Sequence, residues 1–413
     1  MNAVSPSYDL VAFGATGFVG RLLTSYLVKE FGVSGTLSWA AAGRSAAKLE
    51  ELRGSLGPKG VNLPLLVADA GDEAALRKLC AQTRVVASTV GPYALFGEPL
   101  VRVCAETGTD YCDLTGEPQW IRRMVDRYQD TAHASGARIV HSCGFDSIPS
   151  DLGVYFLQQE SRRRFGRPCT RVKMRVKAMR GSASGGTIAS AVNAIKEAAA
   201  DPMLRRELAN PYSLCPKGDP SQVRQPNVKF ATYDADFDGW VAPFVMGAIN
   251  TRIVHRSNAL LDHAYGADFR YDEAVLTGKG LKGRLRATGV AAGIAGFMAA
   301  AAIGPSRAVL ERFVLPAPGS GPSPEAQDKG FYDLRFLGLT DDGQRLKVKV
   351  TGDRDPGYGS TSKILGQAAA SLALDLAKPE LPGGIWTPAS AFGDRLFARL
   401  EKHSGLAFEV IEG

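Results

Sequence analysis

Three glycines, spaced three residues apart, stand between two apolar runs near the start of the chain, in the stretch AFGATGFVGR at residues 12–21. The preceding residues, Tyr8 to Phe13, have the length and apolarity of a buried parallel strand. The residues that follow place large apolar side chains on one helical face until Gly32, which is a natural helix end. Strand, glycine turn and helix form the context in which a helix N-terminus holds a pyrophosphate.

This context predicts a dinucleotide-binding loop, because a phosphate can approach the backbone N–H groups only where no Cβ atom blocks it. The spacing is GxxGxxG rather than GxGxxG, and the alternative is a tight structural turn that is rich in glycine. The predicted loop residues are Gly14, Ala15, Thr16, Gly17, Phe18, Val19 and Gly20.

The end of the next predicted strand, Thr36 to Gly43, indicates which dinucleotide binds. An NAD enzyme usually places Asp or Glu here to hold the ribose hydroxyls, whereas this strand runs into Arg44 and Ser45. A cation and a hydroxyl suit a 2′-phosphate, so the sequence favours NADP(H) over NAD(H). The alternative is that Arg44 is an ordinary surface residue and Ser45 caps a helix over 46–56.

Predicted strands and helices continue to alternate up to about residue 142. Such alternation predicts right-handed crossovers and an α/β fold with a Rossmann-type, doubly wound parallel sheet. Ligands of these sheets lie beyond the carboxyl ends of the strands, which places Asp69 and the stretch 143–147 near the cofactor. The remaining predicted cofactor-binding residues follow another strand: Thr89, Val90, Gly91, Pro92 and Tyr93.

Composition limits the classes of protein that remain. The 413 residues suffice for two domains, and we expect no targeting segment ahead of the first strand. Six cysteines form no C-x-x-C pair and five histidines are scattered, so we predict no metal site and reduced, cytoplasmic thiols. The formal charge of +7 includes basic clusters at 162–164 and 279–286. These are solvated faces, or they bind an acidic protein or an anionic membrane surface; no nucleic-acid-binding motif is present.

The second half has a different pattern. Residues 172–178 alternate apolar side chains with Lys173, Arg175 and Lys177, as in a half-exposed strand of an antiparallel sheet. Residues 331–339 and 345–351 flank an Asp-Asp-Gly turn and predict a hairpin. We therefore predict a second, α+β domain with an antiparallel sheet, and a loop over 315–324.

Residues 287–304 carry no charge over a length just adequate to span a bilayer. Eight are alanine and four are glycine, so the free energy of transfer into lipid is small. Three interpretations remain open: a buried or dimer-interface helix, which we favour, a helix on a membrane surface, or a true span.

Several motifs taken together identify a family. They are GATGFVG, AGR (42–44), TVGPY (89–93), GTDYCDLTGE (108–117), CGFDSIPSD (143–151), NTRIV (250–254) and GGIWTPA (383–389). Over nearly its whole length the chain resembles the saccharopine dehydrogenase-like oxidoreductases, and most closely their actinobacterial branch of trans-acting enoyl reductases in complex lipid synthesis.

The resemblance implies a domain plan and a reaction. It implies a nucleotide-binding domain at 1–150, a substrate or dimerisation domain at 151–354 and C-terminal helices at 355–413 that return to the first domain. The implied reaction is the NADPH-dependent reduction of a carbon–carbon double bond in an α,β-unsaturated acyl thioester. An acyl carrier domain of a polyketide synthase would present that thioester, and the basic surface suits such an acidic partner.

The family supplies no catalytic residue, so the candidates come from position. Tyr93 follows a strand end and could donate a proton; the alternative is a structural aromatic in a tight turn. Asp146 and Ser147 follow the next such end, but they equally suit capping of a helix that begins near Pro149. His141, in a predicted buried strand, is interpreted as a core histidine.

Two other functions compete with enoyl reduction. An imine reductase acting on an amino-acid adduct needs cations for substrate carboxylates, for which Arg175 and Arg252 are the candidates. A non-catalytic NADP-binding protein could instead be held at a membrane by residues 279–304. We expect a cytoplasmic protein, with peripheral membrane binding and a homodimer left open.

Overall fold

The computed structural model describes residues 6–181, 185–310 and 321–411, and its first part alternates strands and helices as predicted. The strands are β1 (Tyr8–Phe13), β2 (Trp39–Gly43), β3 (Leu65–Val67), β4 (Thr83–Ser88), β5 (Asp110–Asp113) and β6 (Arg138–Val140). The helices are α1 (Phe18–Phe31), α2 (Ala46–Ser55), α3 (Glu73–Cys80), α4 (Tyr93–Phe96), α5 (Glu98–Thr107), α6 (Pro118–Ser135) and α7 (Ile148–Phe165), with a short 3₁₀ helix at Gly57–Gly60.

These six strands and a late one, β13 (Gly384–Trp386), form a single parallel sheet in the order β13-β6-β5-β4-β1-β2-β3. The chain leaves β1 in one direction for β2 and returns on the other side with β4. The crevice between the carboxyl ends of β1 and β4 is therefore the place where such sheets bind ligands. The predicted doubly wound parallel sheet is confirmed.

Burial along β1 shows that helices cover both faces of this sheet. Leu10 and Ala12 belong to one apolar cluster, Val11 and Phe13 belong to another, and all four are almost inaccessible to solvent. Alternate residues of a strand point to opposite faces, so a strand buried on both sides must be apolar throughout. That requirement explains the apolar run LVAF over residues 10–13, whereas Asp9 lies in the partly exposed first part of the strand.

The predicted antiparallel region is a second sheet, in the order β14-β12-β11-β7-β10-β9-β8, in which only β7 and β10 run parallel. Its strands are β7 (Arg171–Arg180), β8 (Thr232–Asp234), β9 (Gly239–Pro243), β10 (Arg270–Gly278), β11 (Phe331–Leu339), β12 (Arg345–Gly352) and β14 (Leu406–Ile411). The helices of this region are α8 (Gly185–Ala200), α9 (Pro202–Ala209), α10 (Gly247–Leu260), α11 (Gly280–Ala302), α12 (Gly304–Val309) and α13 (Pro324–Asp328).

One side chain of β7 departs from the predicted alternation. Arg175 was expected on the exposed face, but it is only 2% exposed. Its guanidinium pairs with Asp234 at 2.7 Å and with Asp272 at 2.9 Å. The carboxylates of β8 and β10 make burial of the cation tolerable, because a buried charge needs an opposite charge beside it.

The C-terminal segment divides between the two sheets. Its helices are α14 (Thr361–Leu374), α15 (Pro388–Phe392) and α16 (Asp394–Arg399), with short turns at Pro356–Ser360, Lys378–Glu380 and Leu400–Ser404. Helix α14 packs against β1, β4 and β5, and β13 extends the first sheet. Strand β14 instead pairs with β12, so the assignment of 355–413 to the first domain is wrong for this last strand. The boundaries near residues 150 and 354 stay predictions.

Helix α11 contains most of the uncharged stretch 287–304, and it is not a buried helix. Only Gly283, Ala287 and Ala301 are buried, and the remaining positions are partly or fully exposed. The favoured interpretation is therefore wrong as far as burial within the chain is concerned, because only one edge of the helix packs on other elements. Among the described residues, α11 is the one helix long and apolar enough to cross a membrane. Of the loop predicted at 315–324, residues 315–320 lie outside the described part.

Candidate active site

The turn between β1 and α1 depends on Gly14, whose φ of +84° is one that L side chains rarely adopt. The backbone N–H groups of Gly14 and Ala15 both donate to the carbonyl oxygen of Ala42, at 2.9 and 3.0 Å. A Cβ atom on Gly14 would lie 2.7 Å from Val90 Cγ2 and 2.8 Å from Thr89 Oγ1. The first glycine thus lets the loop bend directly against the end of β4.

The other two glycines have different roles. A Cβ atom on Gly20 would lie 2.1 Å from the carbonyl oxygen of Gly14, so this position holds α1 close to the loop. A Cβ atom on Gly17 would meet only that same oxygen, at 3.4 Å. Gly17 begins α1 without a side-chain cap, so the first N–H groups of the helix face open space. This open helix start has the form of an anion-binding site.

The end of β2 lies beside this loop, since a Cβ atom on Gly43 would be 3.6 Å from Thr16 Oγ1. Arg44 is exposed there, and no carboxylate within the described ranges pairs with it. Ser45 caps α2 by accepting a hydrogen bond from the Lys48 N–H at 3.4 Å. The predicted cap is thus confirmed for Ser45, and Arg44 remains a free cation at the edge of the loop.

Two more strand ends complete this edge. Thr89 Oγ1 lies 3.2 Å from the carbonyl oxygens of both Phe13 and Gly14, which ties the end of β4 to the glycine loop. Asp69, just after β3, is exposed and accepts a hydrogen bond from the Gly71 N–H at 2.8 Å. The predicted cofactor residues therefore share one edge of the sheet, with Asp69 at its outer end.

A cavity of about 2540 Å³ opens from the start of α1. Ligand pockets more commonly measure about 300–1,000 Å³, so this one is large. Near the loop its walls are Gly17, Phe18, Val19, Thr89, Gly91, Pro92 and Tyr93. Farther away they are mostly apolar and come from α8, the segment after α9, the turn before α10, and α11.

Asp146, one of the catalytic residues predicted from the sequence, lines this cavity. It follows β6 and precedes α7, and its Oδ2 atom accepts a hydrogen bond from Thr187 Oγ1 of α8 at 3.4 Å. Burial raises the pKa of Asp146 to about 6 from its ordinary value of 3.8, and the bond from Thr187 opposes that shift. Such a carboxyl group can hold a proton close to neutral pH.

Tyr93 contributes its ring to the cavity, but its hydroxyl is occupied by backbone groups. The hydroxyl donates to the Ser88 carbonyl oxygen at 2.9 Å and accepts from the Leu114 N–H at 3.2 Å. Burial raises the Tyr93 pKa well above its usual value. The contacts agree with the structural alternative, since the hydroxyl would have to leave both partners to reach a substrate.

Ser147 is fully buried and is not among the residues that line the cavity. Its hydroxyl donates to Asn250 Oδ1 at 3.0 Å, and it makes no capping bond to α7. The Asn250 amide donates in turn to Glu273 Oε2 at 3.0 Å, and the Tyr271 hydroxyl donates to Glu273 Oε1 at 2.6 Å. The structure thus places the Ser147 side chain in a buried network, and not in the cavity that its neighbour Asp146 lines.

Glu273 links that network to the cavity, which it lines. Burial raises its pKa to about 7, against the hydrogen bonds from Tyr271 and Asn250. No sequence motif indicated this role. Glu273 lies on β10, more than a hundred residues from Asp146, and α10, which packs against both α7 and β10, brings the two segments together.

The two arginines named for an imine reductase do not supply free cations. Arg175 is neutralised by the two carboxylates described above. Arg252 lines the cavity, but its guanidinium donates to Ser213 Oγ at 3.2 Å and to the carbonyl oxygens of Leu208 and Ala248. Burial lowers the pKa of Arg252 to about 10. Neither side chain is available to a substrate carboxylate in this arrangement.

Known proteins show the same architecture. The saccharopine dehydrogenase NADP binding domain matches residues 10–140. The structure is similar to that of apo histidine-tagged saccharopine dehydrogenase (L-Glu forming) from Saccharomyces cerevisiae, with a TM-score of 0.52 and 13% identity, over 98% of this chain and 100% of that one. At this identity the likeness concerns the fold alone. The fold and the matched domain together define a protein with a saccharopine dehydrogenase-type NADP-binding domain.

Relatives of similar length narrow that class. A Mycobacterium tuberculosis protein assigned to the trans-acting enoyl reductases is 41% identical over 409 residues, which is 97% of each chain. The trans-acting enoyl reductase of Mycobacterium ulcerans is 38% identical over 416 residues, again 97% of each chain. The chain belongs to the trans-acting enoyl reductase family.

Proposed function

We propose that this protein uses NADPH to reduce the carbon–carbon double bond of an α,β-unsaturated acyl thioester. The thioester is held on an acyl carrier domain of a polyketide synthase that lacks a working enoyl reductase of its own. One observation carries the proposal: a single cavity joins the open start of α1 to a long apolar region. A dinucleotide and an extended acyl chain can therefore occupy adjoining parts of one space.

The residues present fit the dinucleotide. Gly17 leaves room for a pyrophosphate at the start of α1, where unpaired N–H groups and the helix dipole favour an anion. Arg44 would hold the 2′-phosphate of NADPH, and its exposed, carboxylate-free position leaves it available for that contact. Thr89 and the turn at 91–93 would border the reactive end, since they line the cavity.

The far part of the cavity suits an acyl chain better than an amino acid. Its walls include Phe244, Met246, Ile294 and Phe297, which offer apolar surface and no charge. Lys196, Arg205, Arg224 and Lys229 also line the cavity, so the choice of an acyl chain rests on this apolar surface and not on a lack of cations. Burial of alkyl groups in such a space contributes about 0.8 kcal/mol for each methylene.

When bound, NADPH would supply the hydride for the β-carbon, and the protein would have to stabilise the negative charge that this leaves on the thioester oxygen. A proton must also reach the α-carbon. We assign the proton to Asp146, whose carboxyl lines the cavity and whose pKa is raised by burial. Thr187 orients that carboxyl through its hydrogen bond, and it comes from the helix that forms the cavity wall. Tyr93 lines the same cavity, together with Gly91 and Pro92.

The proposal is tested by following NADPH absorbance with purified protein and a 2-alkenoyl thioester, both free and on an acyl carrier domain. Saccharopine with NADP⁺ is the contrasting substrate. We expect oxidation of NADPH with the thioester, faster on the carrier, and no reaction with saccharopine. Turnover of saccharopine, or silence with every thioester despite tight NADPH binding, would contradict the proposal.

A further inference from the structure

Helix α11 exposes apolar surface where a helix of a water-soluble protein normally exposes polar side chains. From residue 288 to its end at Ala302, the exposed positions hold only Thr, Gly, Ala, Val and Met. Val290 is 39% exposed and Met298 is 54% exposed, and Ile303, directly after the helix, is 60% exposed. This continuous face lacks a partner within the described part of the chain.

The first turns of the same helix carry cations. Lys282, Arg284 and Arg286 are exposed, and no carboxylate of the described residues pairs with any of them. Arg284 lies over the ring of Trp240 at 5.4 Å, which fixes it beside β9. Leu281 and Leu285, at 70% and 63% exposed, stand among these cations. Exposed apolar side chains that alternate with cations are typical of helices at the surface of anionic membranes.

We propose that α11 is a docking surface for an anionic lipid bilayer, on which it lies parallel to the membrane plane. Its cations would contact the phosphate groups of the lipids, and its uncharged part would enter the boundary between headgroups and acyl chains. The opposite edge of the helix packs against β9, β10 and α8. Crossing the bilayer would draw the charged strands of the second sheet into lipid, so the helix docks and does not span.

A second copy of the chain is a poorer occupant of this face. In a two-fold dimer this face meets the same face of the second copy, and α11 contains no Asp or Glu that could pair with the cations at 282, 284 and 286. Two copies of a chain with a formal charge of +7 also repel each other. Anionic lipid instead complements both the charge and the apolar surface.

Docking would have a consequence for the cavity, because α11 also contributes to its wall. Ala291, Ile294 and Phe297 line the cavity from partly buried positions, and Gly293, Ala295 and Met298 border it from exposed ones. The far end of the cavity would then lie against the membrane surface. The far end of a long acyl chain whose thioester is held on the carrier domain could then enter lipid and not water.

The test is flotation of the purified protein with vesicles of phosphatidylcholine, with and without phosphatidylglycerol. We expect binding only to the anionic vesicles, and weakening by added salt. The double variant Lys282→Glu/Arg286→Glu should lower the vesicle-bound fraction by about tenfold or more. The matched control is Lys59→Glu/Lys78→Glu, which changes the net charge equally at exposed positions of the 3₁₀ helix Gly57–Gly60 and of α3 and should bind like the unmodified protein.

A second readout reports contact of the apolar face with lipid. All six native cysteines are buried, so an environment-sensitive fluorophore can be placed on Val290→Cys, with Lys59→Cys as the control. We expect a blue shift with anionic vesicles at position 290 only. Thermal unfolding and NADPH binding should match the unmodified protein in all variants, which separates lost docking from misfolding.

Equal binding to neutral vesicles, or unchanged binding after charge reversal at 282 and 286, would overturn the proposal. So would a dimer in light scattering that dissociates on Met298→Asp while the vesicles stay unbound, because the face would then be an interface between two copies. None of these readouts uses enoyl reduction, so docking can fail or succeed independently of the proposed reaction.

Discussion

The Oγ1 atom of Thr187 lies 3.4 Å from the Oδ2 atom of Asp146 and donates a hydrogen bond to it. This contact joins the segment that follows the parallel sheet to the helix that follows the first strand of the second sheet. It also holds a carboxyl group with a pKa of about 6 in the wall of the cavity. The contact places a proton source where the two halves of the protein meet.

Asp146→Asn should abolish most of the reductase activity, because the amide cannot release a proton to the α-carbon. We expect kcat to fall by about 10²–10⁴ with NADPH affinity unchanged. The unmodified enzyme should lose activity as the pH rises above about 6, since the protonated carboxyl is the acting form. The pH profile of kcat measures both effects.

Ser147→Ala is the matched control for that variant. Its hydroxyl faces Asn250 and not the cavity, so the variant should lose about 1 kcal/mol of stability and retain kcat. An Asp146→Asn enzyme with a normal rate and an unchanged pH profile would show that the proton comes from another group, with Glu273 the next candidate.

Gly17→Ala should weaken NADPH binding without disturbing the fold. The new methyl meets only the Gly14 carbonyl oxygen, at 3.4 Å, and the φ of −72° suits alanine, so the Tm should change little. The methyl would occupy the space for the pyrophosphate, and we expect about a tenfold or greater rise in Kd. Titration calorimetry and thermal unfolding measure the two quantities.

Gly20→Ala provides the contrast, because its methyl would lie 2.1 Å from that same oxygen and must displace backbone. It should lower the Tm markedly. If Gly17→Ala bound NADPH normally, the cofactor would not lie at the start of α1.

Arg44→Ala should distinguish the two nicotinamide cofactors. Loss of a charge-assisted hydrogen bond costs about 1.5–3 kcal/mol, so the Kd for NADPH should rise about 10- to 100-fold. The Kd for NADH should hardly change, since NADH lacks the 2′-phosphate. Lys59→Ala removes the same charge at another exposed position and should leave both constants unchanged. Equal losses for both cofactors would mean that Arg44 does not contact the 2′-phosphate.

The buried carboxyl of Glu273 predicts a pH dependence of stability. Its pKa is about 7 in the folded protein, whereas 4.5 is the ordinary value for Glu and applies to the unfolded chain. The folded protein therefore binds this proton more tightly than the unfolded chain does. The resulting contribution to the free energy of unfolding is fully present below about pH 4.5 and is lost as the pH rises through 7. Asp151, also with a raised pKa of about 7, acts in the same direction.

In Glu273→Gln the free energy of unfolding should therefore fall by roughly 1–3 kcal/mol less than in the unmodified protein as the pH rises from 4.5 to 8. Urea unfolding at pH values across this range measures the difference. The exposed Glu50→Gln serves as the control and should follow the unmodified protein. A decline as steep in Glu273→Gln as in the unmodified protein would show that this carboxyl is already ionised in the folded state.

The parallel sheet and its glycine loop were predictable because their signals are local. A buried strand such as β1 needs an apolar run, and a turn such as that at Gly14 needs a residue without a side chain. The hairpin of β11 and β12 was likewise predictable from its alternation and its turn. Each of these features depends on residues close together in the sequence.

The rest depends on contacts between distant segments, which one sequence does not display. The pairing of Asp146 with Thr187, the burial of Arg175 between two carboxylates and the network around Glu273 all join separate elements. The burial of α11 within the chain was mispredicted for the same reason, while its role as a dimer interface stays a prediction. Its composition suits a buried helix, and its surroundings, which the composition does not reveal, leave it uncovered.

The most direct measurement of the proposed reaction traces the transferred hydrogen. Purified protein would be given NADPH deuterated at the nicotinamide C4 position and a 2-alkenoyl thioester on an acyl carrier domain. Mass spectrometry would then show which carbon atom of the product carries the deuterium. We predict a saturated thioester with one deuterium on the β-carbon. Deuterium elsewhere, or an unchanged alkenoyl chain in the presence of bound NADPH, would contradict the assignment of this chain as an enoyl reductase.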